Sequence, residues 1–470
     1  MIQDSGFKSK LKVVIWLFIL ITFFFSLNSI YKIVTTFAPD FSVFYGSSFN
    51  ATHGISVYTG NNIFTGFGYP IVTAIPYIPF LLFPYQISQG LFVFLSFLAI
   101  PIIVFLSFKI LNQKLSLIII LITSALIFIS FPTKFTLGMG QSNLLVYALL
   151  LYSFYLLNKI KIRSSHPGKS AWADASRILS GFWTSQNDNS AIAGVLFGIC
   201  FIIKPVLAFL ILYFLLYRKW KFLSYAFLIV FFGFTCSVLF FKQGLSDYYF
   251  YFHTFLPHIL GQSGREIYYN QGISGFVSRI IPNLSFRTII TLSLDLLLVT
   301  YLINLVLRNK VKHVAGFALF LAALPLVDSL SWQHHFVFLI FPFIYLVIQF
   351  TSSFWPASPK RQRGELVQNH PSTLSVRSPR LNRGSGKKWI LDASAFSGLT
   401  RMTKKSTSNF IFITIIFVSY ILISLNIKDP TPFYSFPFSL ILSHVFFGAV
   451  LLFILLVSIS IKVKPVKTRR

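Results

Sequence analysis

Apolar runs approaching twenty residues recur along the whole chain, and no other feature limits its fold as strongly. A helix needs about 20 consecutive apolar residues to cross a bilayer's hydrocarbon layer. Such runs fall at 13–34, 88–108, 115–131, 142–157, 191–203, 204–217, 221–241, 287–307, 313–330, 335–351, 409–427 and 438–461, giving 12 candidate spans. Inside a membrane every backbone polar group must be satisfied within the protein, which a helix achieves alone. The expected fold is therefore an all-α polytopic membrane protein. Charged residues make up 11% of the chain, against about 25% for a soluble domain. Forty basic and 11 acidic residues leave a formal charge of +29. That balance alone would suit nucleic acid, but the apolar runs argue against such a partner. Cys200 and Cys236 both sit in apolar runs, so no disulfide framework or cysteine-based zinc site is implied.

Basic residues collect on the cytoplasmic side of membrane proteins, which gives the runs a direction. With the N-terminus inside and one crossing per run, the cytoplasmic side receives Lys109 and Lys114, Lys159 to Arg163, Arg218 to Lys221, Arg308 to Lys312 and the tail from Lys462. Residues 35–68 hold no Lys or Arg and face outward. Both termini are then cytoplasmic, in a multi-pass protein of the cell (plasma) membrane. The 191–217 stretch is either two short spans or one helix kinked at Pro205; two spans keep Arg218, Lys219 and Lys221 inside. Residues 69–85 are apolar but carry Pro70, Pro76, Pro79 and Pro84, and read as a re-entrant or interfacial piece. Polar stretches at 164–189 and 352–408 lack helical or strand periodicity and read as disordered cytoplasmic inserts. They divide the chain into a membrane half 1–163 with its first outer loop at 35–87, a central region 190–351 with an outer loop at 242–286, and C-terminal helices and tail at 409–470.

The outer segments carry the residues suited to chemistry. Asp40 is the sole acid of the first outer loop and follows directly on the first span. A carboxylate at that boundary is costly to desolvate; it serves either as a helix cap or as a functional group. Gly138 to Asn143 opens the 142–157 helix, as a plain turn or as backbone N–H groups and amides (Gln141, Asn143) aimed at an anion. Lys204 breaks the positive-inside pattern, pointing to an anionic ligand, a paired acid or snorkelling to the headgroups. The 242–286 loop brings His253, His258, Arg265, Asn270 and Gln271, and the next outer turn brings Asp328, His334 and His335. Neither HExxH nor a paired-carboxylate motif occurs, so hydrogen bonding to phosphate or sugar suits the histidines better than a metal. Asp295 alone lies deep within a span, whereas a proton-coupled transporter usually buries several ionisable groups along a path.

Taken in order, Asp40 within Pro-Asp-Phe-Ser-Val-Phe-Tyr, Gly54 and Tyr58, Tyr69-Pro70, Gly-Gln-Ser-Asn at 140–143, Ala-Gly-Val-Leu-Phe-Gly to Lys204-Pro205, Asn-Gln-Gly-Ile-Ser-Gly at 270–275 and Ser-Trp-Gln-His-His at 331–335 resemble glycosyltransferase family 87. That family includes polyprenyl-phosphate-mannose-dependent α-1,2-mannosyltransferases. The resemblance implies a GT-C-type helical bundle with its active site under the first outer loop and no metal or other cofactor. It also implies transfer of a sugar, mannose by default, from a polyprenyl-phosphate donor to a glycan or glycolipid acceptor. Asp40 aligns with the catalytic aspartate and would act as general base in an inverting displacement. Lys204, Arg265, His334, His335, Gln141, Asn143, Tyr45, Asn270 and Gln271 are the expected donor and substrate contacts. The aromatic edge formed by Phe41, Phe44, Tyr45, Phe64, Phe67, Tyr69 and Tyr77 is either a lipid-entry groove or an interfacial aromatic belt. The two polar inserts depart from the family pattern. The alternative function is a flippase or transporter of lipid-linked sugar, with a non-catalytic assembly scaffold behind it.

Overall fold

A computed structural model describes residues 35–58, 67–163, 189–257, 265–308, 310–354 and 411–461, with scattered positions of 13–34. The inserts expected at 164–189 and 352–408 lie almost wholly outside these residues, as do Phe64 and His258. Among the described residues the chain is helical. Its only β-pairing is an isolated antiparallel bridge between Asn270 and Trp332.

Among the described residues five helices are long and apolar enough to cross a membrane: Tyr85–Ile110, Trp220–Phe240, Leu284–Leu307, Gln333–Thr351 and Phe438–Ser460. A sixth is added if Leu117–Ile129 and Phe131–Met139, bent by 73°, count together. The bend falls at Ser130, whose extended backbone ends the first helix. The second restarts with Pro132 in its opening turn, where a missing N–H costs no helical hydrogen bond. Several other apolar runs form shorter helices, among them Ser190–Ile203, Pro205–Leu216, His313–Val327 and Ile411–Ser424. The 191–217 stretch is broken at Lys204, ahead of Pro205. Leu284–Leu307 buries only 22% of its most apolar stretch, leaving Leu292, Leu296 and Leu297 exposed. That much uncovered apolar surface suits hydrocarbon surroundings, not water.

Two segments of the first outer loop are ordered in ways the sequence pattern hides. Pro39–Thr52 is an α-helix, with Pro39 in its opening turn and Phe41, Phe44, Ser48 and Ala51 on its buried side. Serines within that stripe weaken its apolar signal. Gln89 fixes the start of this helix: its Oε1 accepts from Ala38 N–H and its Nε2 donates to the Thr36 carbonyl. Residues Ile71–Leu82 form a 3-10 helix that includes Pro76 and Pro79, since prolines cannot supply the N–H groups of a regular α-helix. Ser48 Oγ ties the two segments by donating to the Ala74 carbonyl.

The core has two parts. The larger lies among the Tyr85–Ile110, Asn143–Arg163, His313–Val327 and His444–Ser460 helices and their neighbours. The smaller surrounds Phe41, Phe44, Phe67 and Tyr77 beneath the first outer loop, and Leu145 packs against both. Gly194 and Gly198 let Ser190–Ile203 press closely on Trp220–Phe240, where any Cβ would strike the Phe222 and Ala226 carbonyls. Gly140 joins the two core regions. Its φ of +66° is left-handed, and an added Cβ would lie 2.6 Å from the Phe41 Cβ. Gly140→Ala therefore combines a backbone penalty of about 1–3 kcal/mol with a clash against the Asp40 helix. Its expected outcome is a clearly lowered melting temperature for the detergent-solubilised protein; unchanged melting would show that this junction is not tight.

Candidate active site

The site begins with a charge that cannot reach water. Lys204 interrupts the Ser190–Ile203 helix and is 1% exposed. Its ammonium donates to Gln141 Oε1 at 2.5 Å and to the Tyr69 hydroxyl at 3.1 Å. It also lies 5.2 Å from the Tyr69 ring centroid and 6.0 Å from that of Phe44, within range for cation–π attraction. Gln141 then donates from Nε2 to Asp40 Oδ2 at 2.5 Å. With its oxygen on an ammonium and its nitrogen on a carboxylate, the amide has one workable orientation. Asp40, Gln141 and Lys204, from three separated segments, thus form one chain of hydrogen bonds.

A second wall comes from the turn after His313–Val327. Asp328 Oδ2 lies 2.7 Å from His335 Nδ1, and both side chains are largely buried. The wall is electrostatically continuous with the first: Lys204 and Tyr69 feel the charges of both Asp40 and Asp328, and Asp40 feels His335. Asn143 Nδ2 donates to the His334 carbonyl at 2.9 Å, and Thr136 Oγ1 reaches the same carbonyl at 3.3 Å. This anchors the turn to the segment that carries Gln141. Asn143 Oδ1, His334 Nδ1 and Ser331 Oγ are buried without hydrogen-bond partners. Buried polar atoms are normally paired, so this wall retains hydrogen-bonding capacity for a ligand.

The remaining expected contacts fall elsewhere in the frame. Arg265 is fully buried, donates to the Ser329 carbonyl, and lies within the field of Asp328 and Asp295. Asn270 Nδ2 donates to the Arg265 carbonyl and Ser274 Oγ. Gln271 Nε2 donates to the Tyr268 and Leu442 carbonyls, while its backbone N–H donates to the Ser331 carbonyl at 2.7 Å. These side-chain amides therefore serve the 265–274 segment and Leu442, while the Gln271 backbone N–H ties the loop to the Asp328 turn. Tyr45 is half-buried, its hydroxyl donating to the Phe83 carbonyl. His253 is exposed.

The structure bears on two readings that the sequence left open. Phe41, Phe44, Phe67 and Tyr77 are buried at 2% exposure or less, with Phe44 stacked on Tyr77 at 4.5 Å; they are a packed core, not an open groove or an interfacial belt. The N–H groups of Gly140 and Gln141 cap the preceding helix on the Leu137 and Thr136 carbonyls, so this segment offers the Gln141 side chain in place of those two backbone donors. Sequence reasoning gave Tyr69 and Asp328 no role in holding charge, because their interactions with Lys204 arise only when distant segments meet. It passed over Asp247, which accepts from Ser56 Oγ and Val57 N–H and pins the first outer loop just after its Pro39–Thr52 helix. Among the described residues no group of three or more His, Cys, Asp or Glu gathers to hold a metal.

Burial raises the Asp40 carboxyl above its ordinary 3.8; the Gln141 hydrogen bond, Lys204 and His335 oppose the rise. Tyr69 is likewise raised by burial and by the two nearby carboxylates, so it stays a neutral phenol beside the lysine.

These residues are arranged as a buried carboxylate-and-ammonium site on a membrane-type helical frame. The family model for glycosyltransferase family 87 matches residues 67–330, more than half of the chain, and the chain belongs to that family. No curated protein and no solved structure matches it. The matched stretch contains Tyr69, Gln141, Lys204, Arg265 and Asp328, while Asp40 precedes it and His335 follows it.

The Asp40 hydrogen bond makes a signed prediction. In difference infrared titration, the Asp40 carboxyl band should show a midpoint above 3.8. A hydrogen bond to the ionised form lowers a carboxyl pKa, so Gln141→Leu should move the midpoint further upward. A midpoint that stays put or falls would remove Gln141 as the group holding Asp40 down.

Proposed function

We propose that this family 87 glycosyltransferase takes its sugar, mannose by family resemblance, from a polyprenyl-phosphate donor. It passes the sugar to a glycan or glycolipid acceptor at the outer face of a bundle of about 12 membrane helices. The observation that carries this reading is the Asp40–Gln141–Lys204 chain, which sets a carboxylate base and a buried cation one amide apart. In the proposed step the acceptor oxygen forms a bond to the anomeric carbon as the bond from that carbon to the phosphate oxygen breaks. The acceptor proton goes to Asp40. The bonding electron pair leaves with the lipid phosphate, whose charge grows from −1 to −2. A base on the sugar face opposite the leaving group inverts the anomeric centre, as in inverting hydrolases. Lys204 is suited to the phosphate, because a fixed cation that meets growing negative charge stabilises the transition state more than the ground state.

The reading has a direct test in transfer from radiolabelled polyprenyl-phosphate-mannose by the purified protein in liposomes. Losing a general base costs about 10²–10⁴-fold in rate, so Asp40→Asn should lose transfer to that degree while still binding donor. Full transfer by the mutant would overturn the base assignment.

An apolar cavity of about 450 Å³ supports a donor with a lipid tail. Its volume lies in the range of roughly 300–1,000 Å³ typical of ligand pockets. Thr133, Phe336 and Val337 line it, on the same two segments that bring Gln141 and His335 to the site. Ile344 lines it further along. Ile344→Trp should raise KM for a long-chain donor while sparing a donor with a single isoprene unit. An equal effect on both donors would argue against the cavity as the tail's place.

A further inference from the structure

Asp328 and His335 face each other across the turn that follows the His313–Val327 helix. Asp328 divides its carboxylate between two tasks. Oδ1 accepts from Leu330 N–H at 3.3 Å, closing the turn after the His313–Val327 helix. Oδ2 stands 2.7 Å from His335 Nδ1. His335 N–H meanwhile donates to the Trp332 carbonyl, so the histidine backbone is fixed by the same turn. The neighbouring His334 ring stands edge-on to that of His335 at 4.6 Å and restricts its rotation. Nδ1 faces the carboxylate in an ion-pair contact without hydrogen-bond alignment, so Nε2 on the opposite side of the ring is the atom left to meet a ligand.

We propose that Asp328 is a positioning residue for sugar transfer, holding His335 in one ring orientation with Nε2 presented to the departing phosphate. This rests on the glycosyltransferase reading above and extends it to a residue that contacts neither sugar nor base. When the phosphate is in place, the imidazole lies between two anions. Nδ1 then faces Asp328, and Nε2–H donates to the phosphate oxygen that gains charge as the glycosidic bond breaks. Carboxylates that orient a ligand-binding histidine act in this way at metal sites, where removing them costs about 10–100-fold. Asp328 also lies within the fields of Lys204 and Arg265. Its negative charge therefore offsets cations that would otherwise repel one another in the unliganded site.

Asp328→Asn is the informative variant. Asparagine keeps an Oδ1 to accept from Leu330 N–H, so the turn can persist, but it turns an NH₂ group toward His335 in place of an anion. The expected result is a fall in kcat of about 10–100-fold with donor KM changed by less than about threefold. In a His335→Ala background Asp328→Asn should cost nothing further, since a residue that acts through the histidine loses its effect with it. Nitrogen NMR of histidine-labelled protein supplies a readout independent of turnover: the His335 Nδ1–H signal should be present in wild type and lost or shifted in Asp328→Asn. Additive losses in the double variant, or a kcat unchanged by Asp328→Asn, would overturn the proposal while wild-type transfer upheld the parent reading. Wild-type protein that transfers no sugar from any polyprenyl-phosphate donor would overturn both.

Discussion

The buried ammonium of Lys204 is the constraint on which the site depends. Moving a lone charge out of water costs several kcal/mol even after relaxation, and this one is 1% exposed. It is tolerated because an amide oxygen, a phenol, two ring faces and two carboxylate fields converge on it. Each of those partners must be delivered by a different stretch of chain. The Pro39–Thr52 helix brings Asp40 and Phe44, the segment before the 3-10 helix brings Tyr69, and the turn after Gly140 brings Gln141. The packing of the first outer loop thus follows from the need to surround one charge.

The partners arrive at interruptions in apolar helices. Gly140 to Ser142 separate Phe131–Met139 from Asn143–Arg163, Lys204 separates Ser190–Ile203 from the helix after Pro205, and residues 328–332 separate His313–Val327 from the 3-10 turn at Gln333. A break turns side chains inward at angles a continuous helix cannot offer, but it also frees carbonyls that need donors. Neighbouring side chains supply them: Thr73 Oγ1 donates to the Ile202 carbonyl, and Thr136 and Asn143 both donate to that of His334. These bonds tie the Lys204 break to the Ile71–Leu82 segment and the Gly140 break to the turn at His334.

How much of this the sequence disclosed depends on whether a residue's role is local. The apolar runs, the break at Lys204-Pro205 and the irregular proline-rich piece are local properties of hydropathy and proline, and they were legible. Asp40 and Lys204 stood out because a charge at the edge of an apolar run is conspicuous. The Pro39–Thr52 helix was not legible, because its buried face mixes Phe41 and Phe44 with Ser47 and Ser48. Nor were the duties of Tyr69 and Asp328, which exist only once segments 135 residues apart, as Tyr69 and Lys204 are, come together. Asn270 and Gln271 illustrate the converse: polar, adjacent and in an outer loop, they have the profile of ligand contacts, yet their amides mostly serve neighbouring backbone.

Gln141 gives the arrangement a chemical logic that a direct ion pair would lack. Were Asp40 in contact with Lys204, the nearby cation would favour the ionised carboxylate and depress its pKa, making it a poorer proton acceptor. The ammonium would in turn be neutralised before any phosphate arrived. An interposed amide accepts one ammonium proton on one side and donates to one carboxylate lone pair on the other while carrying no charge, so burial prevails and Asp40 stays raised. The lysine keeps hydrogen-bonding capacity, with three donors and two polar partners described. On the proposed mechanism, base strength and phosphate affinity are thereby set apart within one hydrogen-bonded chain.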